Sequence, residues 1–277
     1  LKSGFIDNTL KEINAYFDES IGRGNKKLAL LYGDCVISAY VKRNNTKAAI
    51  AAIDKILKLY PQTPALIKRK AFMMIENDMC ADNAYLEDIF AGLYKSFPKE
   101  TRVKYEYCRL LHLNGRYDEC IALLLDALEN NCAAEDKTNF IDLFSALADK
   151  LIKEKEFERL IDAAPHAYKL SGANIFLKIL AEAYLKSGDP GRANDIYIKA
   201  LQKDPQDAAA LKRQKYIQTL VEECGLLALK NPGAPAFDII IDGETVNVKN
   251  KSDAAAQTTV HAEGGVKIFI AEAKIHY

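Results

Sequence analysis

Residues 174–205 read NIFLKILAEAYLKSGDPGRANDIYIKALQKDP, and the spacing within this stretch decides the fold. Leu177, Leu180, Ala181 and Tyr184 recur three and four residues apart, which places them on one face of an α-helix. Ser187-Gly188-Asp189-Pro190 makes a turn, and Ala193, Tyr197 and Ala200 line a second helix that stops at Asp204-Pro205. Ala181 and Ala193 are small where the two helices of a pair must approach closely. Tyr184 and Tyr197 are large enough to fill the space between pairs. Pro205 ends the second helix and starts the turn to the next.

The same pattern extends outward from this unit. From residue 5 to residue 229 apolar residues recur at helical spacing, with short breaks carrying Gly, Pro, Asn or Asp. Helices separated by breaks this short pack as antiparallel neighbours. One further unit offers Gly33, Val36, Tyr40, Ala49, Ile53, Ile56 and Pro61. The next, from Pro64 to Pro98, offers Ile67, Ala71, Met74, Leu86, Phe90 and Leu93, with a lengthened turn around Asp78 to Asn83. A third offers Tyr107, Cys108 and Leu111, then Asn114-Gly115-Arg116-Tyr117, then Cys120, Leu124 and Ala127. A fourth begins near Ile141 with Phe144, Leu147, Ala148 and Leu151, backed by Leu160 and Ala164. A longer link is expected before Ile141, and Pro165 should kink or shorten its helix. Phe5, Ile6, Leu10, Ile13 and Phe17 form the stripe of an opening helix; Leu211, Ile217, Leu220 and Val221 form that of a closing one.

This spacing resembles the tetratricopeptide repeat: an aromatic, a leucine, a small residue and a tyrosine on the first helix, then alanine, an aromatic and a closing proline. Leu177 stands where the family has tryptophan, and the chain contains no Trp. The resemblance implies a mainly α fold, a right-handed α-α superhelix (a TPR-like solenoid) over residues 1–229. Its roughly five repeats exceed the about three that such stacking needs for stability.

The composition changes after the closing helix. Asn231-Pro232-Gly233-Ala234-Pro235 is a linker signal. Phe237 to Ile241 and Thr245 to Val248 flank Asp242-Gly243, a hairpin signal; Thr258 to His261 and Val266 to Ile275, around Gly264-Gly265, are read as a second hairpin. Residues 230–277 are thus expected to form a small C-terminal β appendage, marginal by itself and able to lean on the last helices, on a second copy or on a partner.

Composition narrows the function. The 277-residue chain holds 38 Lys+Arg against 38 Asp+Glu, so the basic excess typical of phosphate-contacting proteins is absent and no nucleic-acid partner is expected. Cys35, Cys80, Cys108, Cys120, Cys132 and Cys224 form no C-x-x-C pair, and most read as core thiols in a cytoplasmic protein. No apolar run is long enough to span a membrane, and no secretory signal opens the sequence. The first residue is Leu, so a piece of a longer protein is in view. His112, His166, His261 and His276 form no catalytic or metal motif, so no catalytic residue, metal or cofactor is expected. Gly22-Arg23-Gly24-Asn25-Lys26-Lys27 lacks the preceding strand and full pattern of a phosphate loop and reads as an exposed turn. Met73, Met74 and Met79 read as core filling.

Stacked helix pairs leave their first helices lining a concave groove. On that face the sequence places Arg102, Tyr105, Arg109 and His112 in the third unit and Lys178 and Glu182 in the fifth. Lys68 and Phe72 in the second and Asp142, Ser145 and Asp149 in the fourth join them. Arg and Tyr combine flat apolar area with directional hydrogen bonding, which suits interface anchors. The family resemblance implies peptide or protein binding there. Its carboxylate clamp of Lys, Asn and Arg is not reproduced, since the matching positions hold Asp34 and Ser38 in one unit and Tyr105 and Arg109 in another. The expected function is a non-catalytic scaffold or adaptor for a protein or peptide partner. The alternatives are a substrate-presenting or oligomerisation arm of a larger enzyme such as a transferase, or a ligand-binding or homo-oligomerising module in the β region.

Overall fold

A computed structural model describes residues 2–130, 134–230, 237–242, 245–250 and 257–261, with side chains over 8–130 and 135–219. The helices among them are α1 (Lys2–Gly22), α2 (Lys26–Lys42), α3 (Thr46–Leu59), α4 (Pro64–Glu76), α5 (Asn83–Ser96), α6 (Thr101–Leu113), α7 (Tyr117–Glu129), α8 (Ala134–Lys153), α9 (Phe157–Ser171), α10 (Ile175–Ser187), α11 (Pro190–Lys203) and α12 (Ala208–Lys230). They belong to two compact units, Leu1–Arg116 and Tyr117–Tyr277, so the division falls inside the third sequence repeat. In the first unit, α1 to α6 pack each against the next, and α1 also reaches α3. In the second, α7 packs on α8 and α9, both α8 and α9 on α10, α10 on α11, and α11 on α12.

The turns follow from local chemistry. Gly188 adopts φ +93°, which a residue without Cβ does at no steric cost; Asp189 then accepts the Arg192 N–H at 2.9 Å and Pro190 opens α11. Gly24 (φ +63°) with Asn25 repeats the device before α2, and Asn44 (φ +54°) with Asn45 repeats it before α3. The turn at residues 22–27 is thereby a helix-capping one, and the Tyr60 hydroxyl anchors it by donating to the Gly24 carbonyl at 2.7 Å.

Each unit is held by apolar layers between successive helix pairs. Phe17, Val36, Ile37, Ala49, Ala52, Ile53, Ile56 and Met73 form one layer of the first unit; Ala71, Phe72, Leu86, Phe90, Leu93, Val103 and Leu110 form the next. Phe72 meets Phe90 edge-on at 5.4 Å, and in the second unit Phe144 meets Phe176 edge-on at 5.0 Å. The positions read as small are buried: Gly33, Ala71, Cys108, Ala148 and Ala181. A Cβ on Gly33 would lie 2.5 Å from Ile56 Cδ1 and 3.1 Å from Phe17, so α2 crosses α3 closely enough that any side chain here forces Ile56 to shift. Cys108 and Cys120 are buried thiols, and burial pushes Cys120 up to about 12; Cys35 is exposed and Cys80 half-buried.

The structure departs from the sequence reading in several places. The residues expected to form a longer link before Ile141 are largely helical, since α8 already begins at Ala134. Pro165 does not shorten its helix: α9 runs on to Ser171 and ends at Gly172 (φ +70°). Proline removes one backbone hydrogen bond, while Leu160, Ala163, Ala164 and Ala167 on the same helix are all buried. Phe72, expected in the groove, is buried in the core. Beyond α12 the backbone forms β1 (Phe237–Asp242), β2 (Thr245–Asn250) and β3 (Gln257–His261), antiparallel in the order β1-β2-β3, with Asp242 opposite Thr245. Thr258 to His261 pair with β2, on its edge opposite β1. Val266 to Ile275 lie outside the described residues, as do the side chains of Cys132, Cys224, His261 and His276.

The glycines give opposed expectations. Gly33→Val overpacks a full crossing and should cost about 2–3 kcal/mol. Gly92→Ala, in helical backbone with nothing within 4 Å of the new methyl, should gain about 0.5–1 kcal/mol. Urea unfolding of the two variants measures both.

Candidate functional site

Helix α6 presents two faces. Val103, Cys108, Leu110 and Leu111 are buried in its core side. Arg102, Tyr105, Arg109 and His112 recur at i, i+3, i+7 and i+10, so they share a second stripe. Arg102 is exposed, and Tyr105, Arg109 and His112 are half-buried.

Arg102 ties this stripe to the neighbouring first helix by charge. Arg102 donates to Glu76 on α4, while its guanidinium lies 4.1 Å from the centre of the Phe72 ring. Arg109 donates to Glu106 on its own helix at 2.7 Å. One helix further back, Arg69 on α4 reaches Asp34 at 2.5 Å and the Ser38 hydroxyl at 3.1 Å on α2. Arg69, Glu76 and Glu106 were not singled out by sequence. Lys68 was, but it turns to Glu100 at 2.6 Å and covers the Phe97 ring at 4.5 Å. One residue is 100° on a helix, and apolar periodicity does not resolve which of two adjacent basic residues faces the next first helix. The signal that finds Arg69 is a carboxylate in the adjacent unit, two helices back, which becomes visible once the helices are paired.

The fifth-unit residues sit in a different environment. On α10, Lys178 donates to Asp207 at 2.8 Å. Glu182 receives both guanidinium arms of Arg213 on α12, at 2.6 and 2.7 Å, and the Tyr197 hydroxyl of α11 at 2.6 Å. Burial would raise the Glu182 carboxyl, but the hydrogen bonds from Arg213 and Tyr197 outweigh it and hold the group below the ordinary range. Burial first, and then the Glu182 charge, raise the Tyr197 phenol. Three successive helices thus meet at one carboxylate. In the fourth unit Asp142 and Asp149 are exposed and Ser145 donates to the Ile141 carbonyl of its own helix. Of the six site residues, four therefore share α6 in the first unit and two share α10 in the second. Among the described residues no group of three or more His, Cys, Asp or Glu side chains could hold a metal, and no helix is long and apolar enough to cross a membrane.

Helix pairs with small residues at the crossings and aromatics between pairs define a helical-repeat protein of tetratricopeptide-like architecture. No protein-family model and no curated protein matches the chain. Among solved structures it is similar to YrrB, a TPR protein with an unusual peptide-binding site, at 15% identity over 72% of this chain and 97% of that one, TM-score 0.46. It is similar to MamA from Desulfovibrio magneticus RS-1 at 13% identity over 64% and 96%, TM-score 0.40. It is also similar to a chain of the Naa15/Naa10 complex bound to HypK, at 14% identity over 82% of this chain and 39% of that one, TM-score 0.49.

The Glu182 cluster carries a pH signature. A carboxyl with a lowered folded value adds stability above its unfolded value, near 4.5, and that stability is lost as pH falls through the folded value. Glu182→Gln should cost about 2–3 kcal/mol at pH 7, with the gap to the parent closing as pH falls below the unfolded value. Denaturant melts at pH 7 and pH 3.5 measure the difference.

Proposed function

We propose that the chain is a non-catalytic, cytoplasmic interaction scaffold that binds a peptide or protein on the first-helix face of its repeats. In this reading residues 1–229 are a right-handed superhelical array, residues 230–277 an appendage, and nucleic acid is not a partner. The supporting observation is the α6 stripe: Arg102, Tyr105 and Arg109 lie together, and the carboxylate holding Arg102 is itself about half exposed, at 51%. Ion pairs exposed to this degree contribute roughly 0–1 kcal/mol, so a partner's carboxylate or carbonyl replaces Glu76 at little cost. Arg102 already covers an aromatic ring and so offers a flat, preordered surface.

The fifth-unit residues support the array in a different manner. Glu182 is held by three donor groups, and releasing it would leave Arg213 and Tyr197 without their acceptor. We therefore assign partner contact to α6 and cohesion of the last helices to Glu182. The test is affinity capture with the parent chain and a Tyr105→Ala/Arg109→Glu variant matched by circular dichroism. A partner held by the parent should lose on the order of tenfold or more in affinity on the variant. Equal capture by both would remove α6 as the binding face.

A further inference from the structure

Aligned on their small crossing residues, the first helices of three units place Lys27, Leu31 and Asp34 on α2, Asp142, Ala146 and Asp149 on α8, and Ile175, Ile179 and Glu182 on α10 at equivalent positions. All three positions are exposed on α2 and all three on α8. On α10 none is exposed: Ile175 and Glu182 are half-buried and Ile179 is buried. The sequence matches the environment, because two of the three α10 residues are isoleucine where α8 carries aspartate and alanine. Arg213 accounts for the cover on Glu182. Strand β1 also packs against α10, alongside helices α8, α9 and α11.

We propose that the Ile175–Ile179 strip of α10 is a docking surface for an extended chain segment, and that β1 is its resident occupant. The surface goes beyond the α6 reading and is independent of it. An extended segment suits such a face because a single first helix offers a shallow apolar strip flanked by charge, long enough for a few residues at about 3.3 Å each. With β1 in place the second unit is closed to an external peptide; with β1 released, the strip becomes available. A resident segment lowers the apparent affinity of a competitor by the fraction of time the face is free.

The test uses the full chain. Ile240→Pro removes a backbone donor in the middle of β1, where Ile240 pairs with Asn247, and should release the strand. A fluorescent synthetic peptide spanning residues 235–250 should then bind the variant on the order of tenfold more tightly than the parent. Amide exchange of the α10 peptide should rise in the variant while that of α3 and α5 stays unchanged. Adding Ile175→Arg should abolish the peptide's binding without changing the helical circular dichroism. Equal binding to parent and variant, binding to neither, or unchanged α10 exchange would overturn the proposal. None of those results bears on Tyr105 and Arg109, whose own variant reports on the α6 face.

Discussion

The close crossing of paired helices is the constraint on which the rest of the structure depends. Most of these helices are 13 or 14 residues long, about the length at which isolated helices are marginal in water, so packing has to supply the stability. Packing at that closeness requires a small residue on one side of each crossing. Gly33 is the extreme case, with Ile56 and Phe17 occupying the volume its side chain would take. Ala71, Cys108, Ala148 and Ala181 are the small buried residues at the corresponding positions of the other units. The edge-on contact Phe72–Phe90 then packs the two helices of one unit against each other, and Phe144–Phe176 fills the wider gap between neighbouring units. Small residues at the crossing and large ones beside it fix the spacing that every surface feature inherits.

Charge is arranged on top of this frame in two grades. The pairs Arg102–Glu76 and Lys55–Asp18 are at least half exposed and add little to stability. Glu182, by contrast, gathers Arg213 and Tyr197 from the two helices that follow it, and the low pKa of the carboxyl reflects donors that are fixed in place. The formal net charge of zero hides this difference, because composition counts charges and says nothing of which are screened by water.

Much of the architecture was legible in residue spacing, and the failures have definite causes. The five units appear because buried positions repeat at three and four residues and because Gly, Asn, Asp and Pro punctuate them. The early start of α8 at Ala134 was missed because Glu135, Asp136, Lys137, Thr138 and Asn139 carry no apolar stripe; the turn is tied instead by Lys137, which donates to the Leu170 carbonyl of α9 at 3.3 Å. Pro165 misled in the other direction, since a local rule about one hydrogen bond gives way inside a helix with a buried face. Phe72 was read as a groove residue from its register, yet its ring lies under Arg102 and against Phe90.

The sequence by itself determined most of the core positions, where most of the helices begin and end, and that Arg102, Tyr105, Arg109 and His112 share a stripe. Those are consequences of a period of 3.6 residues and of turn chemistry, both local. Tertiary structure alone decided which charges are engaged and which are open: Arg69 with Asp34, Lys68 with Glu100, Glu182 with Arg213, each pair lying about thirty residues apart in sequence. It also decided that α10 is covered where α2 and α8 are bare. The reason is range. Periodicity fixes the direction of a side chain on its own helix, whereas the identity of its partner depends on which helix lies opposite, and that is set by the packing of whole pairs.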